Sequence, residues 1–170
     1  MNGELFKTIK MIPLLVLLGA FIVGLFVTKL FTKEFDYPLS GRIAMAVMLV
    51  FTAIGHFAFT KVMTMMLPDF IPFKTEVILL TGIMEIIAAV GLLIPSLRVW
   101  TGWALILFFI LLLPGNIKAA INHVDYQKGT YEGNGPNYLW FRIPLQLLFI
   151  AWTYLSAIKF DSIRRKSPNR

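Results

Sequence analysis

VILLTGIMEIIAAVGLLIPSL, residues 77–97, decides how this chain folds. The stretch has 21 residues and a single ionisable group, Glu85. As a helix it would be about 30 Å long, the thickness of a bilayer's hydrocarbon core. Backbone amides in lipid must be satisfied internally, so a run of this kind reads as a membrane helix. A lone carboxylate near its middle is costly and calls for a partner.

The rest of the chain agrees with a lipid environment. Of 170 residues, 58% are hydrophobic and only 15% charged, and the mean hydropathy is +0.76. Ordinary soluble domains are nearer half apolar and a quarter charged. The net charge of +7 does not point to nucleic acid. Five of the sixteen basic residues crowd into the last twelve positions, KFDSIRRKSPNR. A basic cluster after an apolar helix marks a cytoplasmic, lipid-facing end. The chain has no cysteine, which excludes disulfides, thiol catalysis and thiolate metal sites. Two histidines, His56 and His123, leave little material for a metal or haem site, so none is expected.

Five apolar runs are long enough to span: 11–28, 43–60, 77–97, 99–117 and 138–158. The first is too long for a signal peptide and lacks an A-x-A-like cleavage site, so it reads as a retained helix. Pro68 and Pro72 should interrupt any helix between the second and third runs. Pro95 to Arg98 reads as a tight turn, and residues 118–137 as a long exposed loop. Lys and Arg near the helix ends number nine on the side of the C-terminus and six on the other. That difference predicts a cytoplasmic C-terminus.

Alternation of the five runs sets the depth of each polar residue. His56, Glu85, Asn116, Arg142 and Gln146 all fall in the same, outer half of the expected bundle. Arg142 and Gln146 are four apart and share a helical face, as do Thr52, His56 and Thr60. Thr81 and Gly82 lie on the Glu85 face. Charges within spans normally face the bundle interior and pair, so a Glu85–Arg142 ion pair is expected, with the other three nearby. Such a cluster can fix packing and register, or it can hold a ligand head group or a proton. The inner half of the spans reads as almost free of polar side chains, which argues against transport.

Weaker signals surround these. Met63, Met65 and Met66 could line an apolar pocket or fill space at a helix end. Trp100, Trp103, Tyr138, Trp140 and Trp152 suit interfacial anchoring or ligand stacking. Lys118 can snorkel to the interface. His123 and Asp125 in NHVDY make too small a ligand set for a metal.

In fixed order the chain carries GHFAF (55–59), MLPDFIP (66–72), TGIMEIIAAVGLLIP (81–95), LLPGNIKAAIN (112–122) and LWFRIPLQ (139–146). This series resembles the DoxX-like family of small bacterial membrane proteins. The resemblance implies an all-α, polytopic four-helix transmembrane bundle over 39–160. Residues 1–38 then form an extra N-terminal helix with its loop, and 161–170 a basic cytoplasmic tail. It implies the bacterial inner membrane, and it matches the family's recurrent polar residues to His56, Glu85, Asn116, Arg142 and Gln146. Family members include a subunit linked to thiosulfate:quinone oxidoreduction and partners of redox enzymes. The expectation is an accessory or ligand-binding component of a membrane redox system, holding a quinone or lipid or docking a redox-enzyme subunit. Two rivals stand beside it: a catalytic subunit of a quinone-linked oxidoreductase, and a small-molecule or proton carrier.

Overall fold

The computed structural model describes residues 2–125, 129–133 and 135–160; the basic tail at 161–170 lies outside them, as does part of the 118–137 loop. The longer helices are α1 (Asn2–Thr32), α2 (Tyr37–Ala58), α4 (Lys74–Leu93), α5 (Arg98–Ile121) and α6 (Leu139–Thr153). A single turn of helix, α3 (Thr60–Met63), follows α2. Among the described residues, five stretches are long and apolar enough to cross a membrane: Met11–Thr32, Tyr37–Ala58, Lys74–Leu93, Arg98–Ile121 and Gly135–Lys159.

Local chemistry sets the boundaries. Asp36 caps α2 by accepting a hydrogen bond from the Leu39 amide at 2.8 Å, and Pro38 occupies its first turn. These signals start α2 six residues before the uncharged run at Ile43. Beyond Ala58 the chain passes through α3 and a 3₁₀ turn, Thr64–Met66, and then the loop containing Pro68 and Pro72. Phe73 closes that loop in the left-handed region, at φ 49°, immediately before α4. The expected loop at 118 begins later, because α5 continues to Ile121. A 3₁₀ turn, Gly135–Tyr138, leads into α6, and a π-helical segment, Tyr154–Lys159, continues it.

Packing closes a ring in the order α2, α4, α5, α6, with α6 and its π-helical extension returning to α2. Helices α4 and α6 therefore oppose each other across the diagonal. α1 lies outside this ring against α2, and its Phe21 meets the Trp152 ring edge-on at 4.9 Å. Leu17, Met45, Met48, Leu49, Leu92 and Leu105 are fully buried, while Leu15, Ile22, Val23 and Phe26 face outward. Lipid is as apolar as leucine, so such a bundle depends on close contact rather than on apolar burial. A Cβ on Gly41 would lie 2.9 Å from that of Ser156, and one on Gly102 would lie 3.2 Å from that of Ala157.

The same end of the bundle corrects the expectation of a nearly apolar inner half. Thr28, Ser40, Arg42, Thr153 and Ser156 are all buried there. Thr28 and Ser40 hydroxyls meet at 3.3 Å, and Arg42 Nη1 donates to the Ser156 carbonyl at 3.1 Å within the π-helical segment. The Trp152 indole donates to the Gly41 carbonyl at 3.0 Å, so this tryptophan ties helices together rather than anchoring an interface. Trp100 and Trp140, at opposite ends of the bundle, are largely exposed, as interfacial anchors are.

Candidate functional site

The polar residues picked out by depth converge at the other end of the ring. α2 carries Thr52 and His56, α4 carries Thr81 and Glu85, α5 carries Asn116, and α6 carries Arg142 and Gln146. Two prolines punctuate this region. Pro114 precedes Asn116 by two residues, and Pro144 sits midway between Arg142 and Gln146. A helix proline removes one backbone donor, and nearby polar side chains commonly answer the carbonyls that are freed.

One half of the cluster is closed by hydrogen bonds. Arg142 Nε donates to Asn116 Oδ1 at 3.2 Å. Asn116 Nδ2 donates to the Leu112 carbonyl at 3.0 Å and to Gln146 Oε1 at 3.4 Å. Gln146 Nε2 donates to the Phe109 carbonyl. Asn116 and Gln146 are buried, and their bonds join α5 to α6.

The other half is not closed. Thr81 Oγ1 and His56 Nδ1 lie 3.0 Å apart, and the same hydroxyl is 2.7 Å from the Ile78 carbonyl. A hydroxyl has one hydrogen and can accept as well. With that hydrogen on Ile78, His56 Nδ1 is the donor to Thr81. His56 Nε2 faces Glu85 Oε1 at 3.6 Å, too long for a hydrogen bond. Glu85 is only 4% exposed, and its Oε2 is buried with no partner.

Glu85 and Arg142 do not form the expected direct ion pair. Their helices are diagonal in the ring, His56 on adjacent α2 is the group beside Glu85, and Asn116 takes Arg142 Nε. Instead, the two charges border one cleft of about 50 Å³. Thr52 and Gln146 complete its polar lining. Met48, Phe109, Leu112 and Phe149 supply apolar walls, and Pro13 closes the side toward the peripheral α1. Pro13 was not among the residues singled out by depth. Its position in an otherwise uncharged span is the one trace it leaves in the sequence.

The remaining candidates lie elsewhere. Thr60 is past the end of α2, its hydroxyl bonded back to the His56 carbonyl. Lys118 does not line the cleft. Its Nζ donates to the Leu67 carbonyl at 2.8 Å and to Asp69 Oδ1 at 2.7 Å, and Lys74 reaches the same carboxylate at 3.1 Å. The hydrogen bond from Lys118, and then that from Lys74, holds the Asp69 carboxyl below its ordinary value. Met63, Met65 and Met66 sit half-buried beside this clasp, outside the cleft lining. His123 Nδ1 lies 3.2 Å from the Gly133 carbonyl, and Asp125 pairs by its backbone with Thr130; both shape the long loop.

Residues 45–157 match the family described as a domain of unknown function (DUF8561). No curated protein and no solved structure matches the chain.

Proposed function

The chain belongs to the DUF8561 family, and within it we propose a membrane-embedded ligand-binding protein. The cleft between Glu85 and Arg142 holds the polar head of a lipid-soluble molecule. One observation carries this reading: Glu85 Oε2 is buried, without a partner, on a carboxylate that borders the same cleft as a guanidinium. A buried polar atom left unpaired costs about 1–3 kcal/mol. A ligand donor would remove that cost, and Arg142 would meet the ligand's acceptor. A small concave site with apolar walls and a few convergent polar groups suits this role.

The motif series that resembles DoxX-like proteins extends the proposal. On that resemblance the ligand is a quinone or a lipid, and the protein is an accessory component of a redox system in the bacterial inner membrane. Its C-terminus would then be cytoplasmic. Holding is favoured over carriage, because Met45, Leu49 and Leu105 form a fully buried apolar belt between the two polar ends.

The test is co-purification. Protein isolated in a mild detergent is extracted, and its lipid-soluble content is compared by mass spectrometry with that of Glu85→Leu. A species enriched with the wild type and lost from a variant of unchanged helix content supports the reading. Identical extracts from both proteins refute it.

A further inference from the structure

Resting on that reading of the cleft, we infer the chemistry of its ligand: a single-chain lipid whose small head carries an O–H donor beside an oxygen acceptor, in the simplest case the carboxylic acid of a fatty acid.

Three features converge on this head. The Glu85 carboxylate borders the cleft and accepts no hydrogen bond from the described residues, so a ligand atom facing it is a donor. Arg142 can only donate. Its Nε is held by Asn116, which leaves the far nitrogens of the guanidinium, and these prefer a planar oxygen acceptor. A protonated carboxylic acid carries both functions on one carbon, its O–H toward Glu85 and its carbonyl toward Arg142. The third feature is size. The cleft measures about 50 Å³. On this measure one water needs about 10–15 Å³, so there is room for a polar head of several heavy atoms. The apolar walls formed by Phe109, Leu112 and Phe149 suit an alkyl chain.

Gln146 and Asn116 do not compete for the head, because each already bonds to protein. His56 acts as a positioning residue, standing at Glu85 Oε1 while Thr81 holds its other nitrogen.

The experiment uses delipidated full-length protein in detergent and two probes of one shape. Palmitic acid has the O–H; in 2-heptadecanone a methyl replaces it. Retention is read by native mass spectrometry, and affinity by thermal shift. The acid should bind the wild type roughly tenfold more tightly than the ketone, the ratio that corresponds to one hydrogen bond to a buried acceptor. In Glu85→Leu the ratio should fall to about one, and in Arg142→Leu both probes should weaken. Equal binding of acid and ketone by the wild type overturns the inference, and that comparison decides even if neither variant folds. If a ring quinone without an O–H binds and the acid does not, the inference fails while the cleft remains a ligand site. If no lipid-like probe binds, both readings fail.

Discussion

Replacing His56 should harm the bundle more than replacing Glu85, and replacing both should undo most of the harm. The asymmetry follows from what each removal leaves behind. His56→Leu leaves the Glu85 carboxylate, 4% exposed, without the one group that faces it, at 3.6 Å. Removing one partner of a buried charged pair typically costs 3–5 kcal/mol. The contact is longer than a hydrogen bond, so the low end applies, about 3 kcal/mol. The threonine is not stranded by this change, because Thr81 still has the Ile78 carbonyl.

Glu85→Leu does the reverse. It removes a buried oxygen that had no partner and leaves an imidazole still bonded to Thr81. An imidazole left without a counter-charge sheds its proton readily near neutral pH, so the cost should stay within about 1 kcal/mol. The double variant should resemble Glu85→Leu, giving a coupling of about 3 kcal/mol between the sites. Reversible unfolding by SDS in mixed micelles, followed by tryptophan fluorescence, measures all four corners of the cycle. If His56→Leu lies within about 0.5 kcal/mol of wild type, or the double variant equals the sum of the singles, Glu85 is not a buried charge answered by His56.

Three other consequences can be checked with the same protein. Asn116→Leu strips two bonds between α5 and α6 and should cost roughly 1–2 kcal/mol, since interhelical bonds in membranes average about 0.6 and reach about 1.7 kcal/mol; the SDS midpoint reads this, and no change would mean the network is not formed. Gly41→Ala puts a Cβ 2.9 Å from that of Ser156 and should destabilise by about 1–3 kcal/mol, with Ser156→Gly restoring most of the loss. The third concerns the Asp69 clasp, whose carboxyl is held below its ordinary value of 3.8 by Lys118 and Lys74. A lowered folded value means the clasp contributes above pH 3.8 and is lost as pH falls through the lowered value. Pepsin cleavage of residues 67–73 should therefore rise across that interval in wild type, and Asp69→Asn should be cut at every pH.

The spans could be read from sequence because one physical rule sets them: a helix must cross about 30 Å without exposing charge. Their ends were less legible, because they answer to local chemistry. α2 starts at Tyr37 rather than Ile43 because Asp36 caps it and Pro38 suits its first turn. That shift also explains two of the polar groups missed at this end. Read as part of a loop, Ser40 and Arg42 count as exposed; inside the first turns of α2 they are buried against α1 and the π-helical segment.

Depth and helical face follow from residue spacing, and the structure places His56, Glu85, Asn116, Arg142 and Gln146 toward one end of the bundle. Spacing does not give the order of helices around a ring. Two helices at equal depth can be neighbours or diagonal, and that choice decides whether their charges touch. With α4 and α6 diagonal, Glu85 meets His56 and Arg142 meets Asn116. The distinction bears on function. A cluster that only fixed packing would be expected to satisfy its own members, as Asn116, Gln146 and Thr81 are satisfied. Glu85, wholly without hydrogen bonds, and Arg142, bonded through Nε, instead border the same cleft. Opposite charges held apart across a small space demand a bridging group with a donor at one end and an acceptor at the other. That demand is the physical ground for reading the cleft as a site rather than a packing fault.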